Sequence, residues 1–145
     1  METFGRHLVL EMWDCDREIL NNAKRLREIL RKAAEEAGAT VIRVFCHEFN
    51  PKGVTGVALL AESHLTIHTW PEEGYAAADI FTCGQHTDPQ LAVQYLISSL
   101  KAKDSTTFEL KRGSMRTREV AGTLGSYRSK TLSSTARVVA LCMLP

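Results

Sequence analysis

Residues 62–72 read Glu62-Ser63-His64-Leu65-Thr66-Ile67-His68-Thr69-Trp70-Pro71-Glu72. We interpret residues 64–70 as a strand, and the Pro-Glu-Glu-Gly sequence after them as a turn. The stretch therefore offers a serine hydroxyl directly behind a peptide bond, a nearby imidazole on an extended segment and a carboxylate after the turn. These are the groups that a chain needs in order to cleave itself.

Ser63 is the candidate nucleophile, although a serine hydroxyl is weak unless a base or a strained backbone helps it. Attack of its Oγ on the Glu62 carbonyl would turn the amide into an ester. Loss of the Ser63 α-proton would then release the Glu62 carboxylate and leave dehydroalanine, which hydrolyses to a pyruvoyl group. We therefore predict a cut chain, with residues 1–62 and 63–145 as its two parts.

The pyruvoyl ketone at the new N-terminus has a clear chemical use. It can form a Schiff base with a substrate amine and draw electrons from the substrate's α-carbon, as pyridoxal phosphate does. The stretch thus predicts a decarboxylase that makes its own cofactor from Ser63.

Hydrophobic periodicity predicts six strands and two helices around this stretch. The first helix is capped by Asp16 and ends near Ala37, before Gly38, and the second is capped by Asp88 and covers Pro89–Leu100. The predicted strands are His7–Trp13, Thr40–Phe49, Val54–Ala61, His64–Trp70, Tyr75–Thr82 and Ser105–Lys111. We predict an α+β fold, a two-layer sandwich of a mainly antiparallel sheet with two helices on one face.

Several motifs closely resemble the prokaryotic S-adenosylmethionine decarboxylases, over roughly residues 4–112. They are Gly5-Arg6-His7-Leu8, Cys15-Asp16-Arg17-Glu18, Gly53-Val54-Thr55-Gly56-Val57, residues 61–72, Gly74-Tyr75-Ala76 and Asp79-Ile80-Phe81-Thr82-Cys83-Gly84. The resemblance implies an enzyme that makes decarboxylated S-adenosylmethionine, the aminopropyl donor for spermidine synthesis. It also implies a homodimer in which two sheets pack face to face as four αββα layers.

The resemblance assigns two residues to self-cleavage beside Ser63. His68 would help to remove the Ser63 α-proton, and Thr55 would assist the ester step beside it. The family generally has serine at the position of Thr55, so we expect slower cleavage here, because a branched Cβ restricts the hydroxyl. A lone strand histidine is more often a packing residue, but the motif favours a function for His68.

The resemblance also assigns residues to the catalytic cycle. Cys83 would return a proton to the α-carbon after carbon dioxide leaves, and a thiol suits this role because it is largely protonated at neutral pH. Phe49 would stack on adenine and attract the sulfonium, and Glu72 would accept the ribose hydroxyls. The plain alternatives are a buried cysteine, a packing ring and a turn carboxylate. Trp70 is expected in the core.

Two alternatives share most of these residues. A pyruvoyl-dependent decarboxylase of arginine or ornithine would keep Ser63 but have no use for Phe49 and Glu72. A catalytically silent regulatory paralogue would need none of Ser63, His68 and Cys83. We therefore favour S-adenosylmethionine as the substrate.

Composition is compatible with one domain and excludes little else. The 145 residues are 44% apolar and carry a net charge of +1, which gives no nucleic-acid signal. The N-terminus is no signal peptide and no apolar run approaches membrane-spanning length, so we expect a cytoplasmic protein that binds neither nucleic acid nor membrane. Residues 1–112 form the predicted domain, and residues 113–145 form a basic extension that we expect to be flexible.

Several cysteines and histidines could in principle serve as metal ligands. Cys46, His47, His64, His68, Cys83 and His86 match no closed zinc motif, so we predict no metal. Cys15, Cys46 and Cys142 are expected to be small buried residues.

Overall fold

The computed structural model describes residues 4–113 of the chain. Along these residues it has nine elements, in the order β1 (Gly5–Trp13), α1 (Arg17–Leu20), α2 (Ala23–Glu36), β2 (Val41–Glu48), β3 (Val54–Leu60), β4 (Ser63–Trp70), β5 (Tyr75–Cys83), α3 (Pro89–Ser99) and β6 (Asp104–Arg112). Each of the six predicted strands is present, with ends within two residues of the prediction.

The strands form one sheet in the order β2-β3-β4-β5-β1-β6. Every neighbouring pair is antiparallel. Helix α2 packs on β2, β3 and β4, and α3 packs on β1 and β5. The predicted two-layer fold with an antiparallel sheet is confirmed.

The core lies between the sheet and the helices because each central strand buries alternate residues. In β1 the buried side chains are Leu8, Leu10 and Met12, while the residues between them face the other side. Helix α2 contributes Leu26, Ile29, Leu30, Ala33 and Ala34 to the same core. The predicted burial of Cys15 and Cys46 is also confirmed; Cys142 lies outside the described residues.

The long first helix was predicted as one piece, but it is interrupted at Asn21 and Asn22. Asp16 caps α1 as predicted, accepting hydrogen bonds from the N–H groups of residues 18 and 19. Asn22 then caps α2, because its side chain accepts a hydrogen bond from Arg25 N at 2.9 Å. The Asn21 side chain accepts one from Gly53 N at 3.0 Å, which ties the interruption to the β2–β3 turn.

The sheet face without helices is partly apolar. The strands expose large side chains there, namely Phe45, Val57, Leu59, Phe108 and Leu110, each between 37% and 61% accessible. Trp70 lies on this face, half-buried beside the ring of Tyr75, so the expectation that it belongs to the core was wrong.

The predicted extension falls almost wholly outside the described residues. No helix in the stretch from residue 4 to residue 113 is long and apolar enough to cross a membrane.

Candidate active site

Ser63 occupies a strained backbone position at the start of β4. Its φ angle is +152°, a conformation that residues other than glycine rarely adopt and that costs about 1–3 kcal/mol. The residue follows a tight connection between β3 and β4 and pairs with Thr82 of β5. Strain is therefore stored next to the peptide bond that was predicted to break.

The carbonyl of that peptide bond receives two hydrogen bonds from one residue. Cys83 N donates to Glu62 O at 3.2 Å, and Cys83 Sγ lies 3.0 Å from the same oxygen. Donors fixed on a carbonyl oxygen stabilise the negative charge that develops when the carbon is attacked. The predicted catalytic cysteine thus lies against the peptide bond that was predicted to break.

The Glu62 side chain is only 6% accessible, and its carboxylate is held in place by two contacts. Its Oε2 accepts a hydrogen bond from Thr40 N at 2.9 Å, and its Oε1 lies 3.0 Å from His86 Nε2. The contact with His86, followed by the Thr40 N–H, lowers the pKa of Glu62 to about 2 against the opposing effect of burial. The residue before the predicted cut is therefore fixed and charged.

The Ser63 hydroxyl contacts His64, which belongs to a cluster with His7 and Asp79 that was not predicted from the sequence. His64 Nδ1 lies 3.1 Å from Ser63 Oγ, and His64 Nε2 lies 3.2 Å from Asp79 Oδ2. His7 Nε2 lies 2.8 Å from the same carboxylate oxygen. In the sequence analysis, His7 and Asp79 appeared only within motifs of the family resemblance and were given no role. The two residues are distant in sequence, and only the register of the strands brings them together.

The same three side chains are the one group of possible metal ligands found among residues 4–113, with their ligand atoms all within 4.8 Å. Their nitrogen and oxygen atoms already hydrogen-bond to one another. The prediction that the chain holds no metal stays a prediction.

Thr55 and His68 form a second group on the helix-free face of the sheet. They pair directly across β3 and β4, and Thr55 Oγ1 lies 2.9 Å from His68 Nδ1. His68 also lines a pocket of about 230 Å³ together with His7, Val9, Ala77, Ala78 and Asp79, so the pocket adjoins both groups. Along β4, His68 lies about 17 Å from Ser63 at the usual rise per residue. A single protomer therefore does not bring these two residues into contact.

Phe49 and Glu72 lie at the end of the sheet opposite Ser63. Phe49 follows β2, is 52% accessible and meets the His47 ring edge-on at 4.8 Å. Glu72 is in the β4–β5 turn and lines a second pocket of about 230 Å³ with Arg17, Glu18, Asn21, Lys52 and Pro71. The predicted residues thus fall into three sets within one protomer: Ser63 with Cys83, Thr55 with His68, and Phe49 and Glu72 at the end of the sheet opposite Ser63.

Comparisons with known proteins agree on one family. The family model described as S-adenosylmethionine decarboxylase matches residues 6–113. An S-adenosylmethionine decarboxylase proenzyme of Caldicellulosiruptor saccharolyticus is 51% identical over 113 residues, which cover 78% of this chain and 91% of that relative. A proenzyme of the same name from Methanococcus aeolicus is 50% identical over 115 residues, covering 79% of this chain and 98% of that relative.

Solved structures include a relative with the same fold. The crystal structure of the adenosylmethionine decarboxylase from Aquifex aeolicus VF5 aligns with a TM-score of 0.75 and 35% sequence identity. The alignment covers 80% of this chain and 96% of that chain.

Proposed function

The chain belongs to the S-adenosylmethionine decarboxylase family, a family of enzymes, and we propose that it is made as a proenzyme that cuts itself between Glu62 and Ser63 and then decarboxylates S-adenosylmethionine. The observation that carries the proposal is the geometry of this peptide bond. Ser63 is strained at φ +152°, and two donors of Cys83 point at the carbonyl that Ser63 Oγ would attack. A purely structural turn would need neither feature.

The residues around the bond fit formation of a pyruvoyl group from Ser63. Such a group, once formed, supplies an electron sink for the α-carbon of the substrate. Cys83 then returns a proton to that carbon, and its exposed thiol suits the role because it is accessible from the helix-free face. The product would be the aminopropyl donor used in spermidine synthesis.

We further propose that the working unit is a homodimer with a shared active site. The distance along β4 between Ser63 and His68 supports this, because His68 of the same protomer lies too far away to take the Ser63 α-proton. A two-fold axis between face-to-face sheets, running across the strands, reverses the strand direction of the second copy. It would place His68, Thr55, Phe49 and Glu72 of one protomer over Ser63 and Cys83 of the other.

The exposed apolar side chains on the helix-free face support the same arrangement. Phe45, Val57, Leu59, Phe108 and Leu110 would be covered by the second sheet, which gives the αββα layers expected from the resemblance. Phe49 and Glu72 would then contact adenine and ribose within the shared site.

Decarboxylation of arginine or ornithine is the weaker alternative, since relatives at about half identity over 113 residues carry the name S-adenosylmethionine decarboxylase proenzyme. A silent regulatory paralogue is also weaker, since it would have no use for a strained Ser63 or for the contacts of Cys83.

Intact-mass analysis of freshly purified protein tests the proposal, with Ser63→Ala as the matched control. We expect the 16.2 kDa chain to split between Glu62 and Ser63, with a pyruvoyl mass at the start of the larger fragment, while the variant stays whole. The cut protein should release carbon dioxide from carboxyl-labelled S-adenosylmethionine and not from arginine or ornithine. A wild-type chain that remains uncut after long incubation would refute self-cleavage.

A further inference from the structure

The Ser63 hydroxyl contacts an imidazole other than that of His68. Ser63 Oγ lies 3.1 Å from His64 Nδ1. His64 is the next residue in the chain and is partly buried against the ring of Phe81, at 6.0 Å between ring centroids. It therefore stands where a base for the serine hydroxyl has to stand, within hydrogen-bond reach of the proton that must leave.

The tautomer of His64 is set by the contact of its other nitrogen. Nε2 lies 3.2 Å from Asp79 Oδ2, and an ionised carboxylate only accepts hydrogen bonds. Nε2 must therefore carry the ring proton, which leaves a lone pair on Nδ1 that faces Ser63 Oγ. This is the tautomer in which a neutral histidine removes a proton from a serine.

Asp79 is itself held by further donors. It accepts hydrogen bonds from the Thr66 hydroxyl and, at 2.8 Å, from His7 Nε2. Arg112 Nη1 lies 2.9 Å from His7 Nδ1, which makes His7 an acceptor at Nδ1 and a donor at Nε2. Burial raises the pKa of Asp79, but its hydrogen bonds from Thr66, His7 and His64 outweigh burial and lower it. The carboxylate is thus ionised and oriented.

We propose that His64 is the catalytic base for the first step of self-cleavage, with Asp79 as the residue that positions it. The inference rests on the proposed self-cleavage and adds a role distinct from that of His68. His64 acts on the hydroxyl proton that must leave before the ester forms, whereas His68 is proposed to act on the α-proton afterwards.

The step balances without any added reagent. The Oγ proton of Ser63 moves to His64 Nδ1 while Oγ bonds to the Glu62 carbonyl carbon, and the carbonyl electron pair moves to oxygen, against the two donors of Cys83. His64 then returns the proton to the Ser63 nitrogen as the carbon–nitrogen bond breaks. The result is an ester at Oγ and a free amine, an isomer of the starting peptide.

Hydroxylamine separates this step from the next one, because it cleaves an ester and leaves an amide intact. We expect the purified His68→Ala proenzyme to be cut by hydroxylamine between residues 62 and 63, since its ester forms and waits. The His64→Ala proenzyme should stay whole under the same treatment and cleave about 10²–10⁴-fold more slowly than wild type. Added imidazole should restore part of its rate.

Two further variants and one control keep the result interpretable. Asp79→Asn should slow cleavage, because the His64 ring loses its fixed tautomer. Thermal unfolding of this variant should remain cooperative. As the control, Arg25→Ala changes an exposed residue of α2 whose side-chain partner is Glu28, and should cleave at the wild-type rate. Circular dichroism establishes that each variant is folded, and His64→Gln replaces His64→Ala if the latter is not.

Three results would overturn the role of His64. The first is that hydroxylamine releases fragments from His64→Ala as readily as from His68→Ala. The second is a wild-type rate of self-cleavage in both His64 variants. The third is a rate of self-cleavage that falls when a chelator removes metal. A wild-type chain that never cleaves would instead overturn the proposed function on which this role depends.

Discussion

Thr55 Oγ1 lies 2.9 Å from Nδ1 of His68, and the two residues face each other directly across β3 and β4. The resemblance assigned Thr55 a role beside His68. The register of β3 and β4 fits this role, because it places the threonine hydroxyl beside the imidazole. The threonine hydroxyl reaches the ring despite the branched Cβ that distinguishes it from serine.

Thr55 is accordingly expected to affect the rate of self-cleavage and not the fold. Thr55→Val keeps the shape but removes the hydroxyl, so cleavage should slow by up to about tenfold, the value of one hydrogen bond. Thr55→Ser keeps the hydroxyl, frees its rotamer and should cleave at least as fast as wild type. The uncut fraction is followed by mass spectrometry over time, and equal rates in Thr55→Val and wild type would contradict the expectation.

A shared active site predicts complementation between two inactive chains. Ser63→Ala and His68→Ala should each stay uncut alone, since one lacks the nucleophile and the other lacks the base for the α-proton. In a mixed dimer, Ser63 of the His68→Ala chain would meet His68 of its partner. Co-expression with different tags should therefore yield cleavage of the His68→Ala chain only.

The control for complementation is each tagged variant expressed singly and purified in the same way. Mixed dimers that form but remain uncut, beside wild-type dimers that are cut, would mean that both groups act within one protomer.

Glu62 is expected to make the stability of the uncut chain depend on acid pH. Its pKa is lowered to about 2 by His86 and by the Thr40 N–H, from an ordinary value near 4.5. The carboxylate thus contributes stability above about pH 4.5, and this contribution is lost as pH falls toward 2. The free energy of unfolding should be compared between Ser63→Ala and Ser63→Ala with Glu62→Gln from pH 6 to pH 2.

The two proteins share every other acidic group, so the difference between them isolates Glu62. It should be largest near neutral pH and shrink below pH 4.5, and a difference that does not change with pH would show that the carboxylate charge stabilises nothing.

Gly56 of β3 is expected to be essential for packing of α2 on the sheet. A Cβ at this position would lie 2.6 Å from Leu30 Cδ1 and 3.1 Å from both Cys46 Sγ and Ile67 Cγ2. Gly56→Ala should therefore lower the free energy of unfolding by about 1–3 kcal/mol, measured by urea denaturation. Leu30→Val frees space at the nearest contact, so the double variant should lose less than the sum of the two single losses.

Most of the fold was predictable because it depends on local periodicity. The apolar segment His7–Trp13 and the helical repeat that includes residues 23–36 correctly predicted a strand and a helix. The interruption at Asn21 was not predictable in this way, because the residue contacts Gly53, which is distant in sequence. Trp70 was misassigned for a related reason. The sequence of β4 does not tell which face of the sheet the helices cover.

By itself, the sequence determined the element types, the family and the bond between Glu62 and Ser63 as the proposed point of cleavage, because these follow from residue type and spacing along one segment. Only the tertiary structure decided that Cys83 points two donors at Glu62 O and that the Asp79 carboxylate lies against His64. These relationships depend on the register between strands that are distant in sequence, and register is set when the whole sheet packs against its helices.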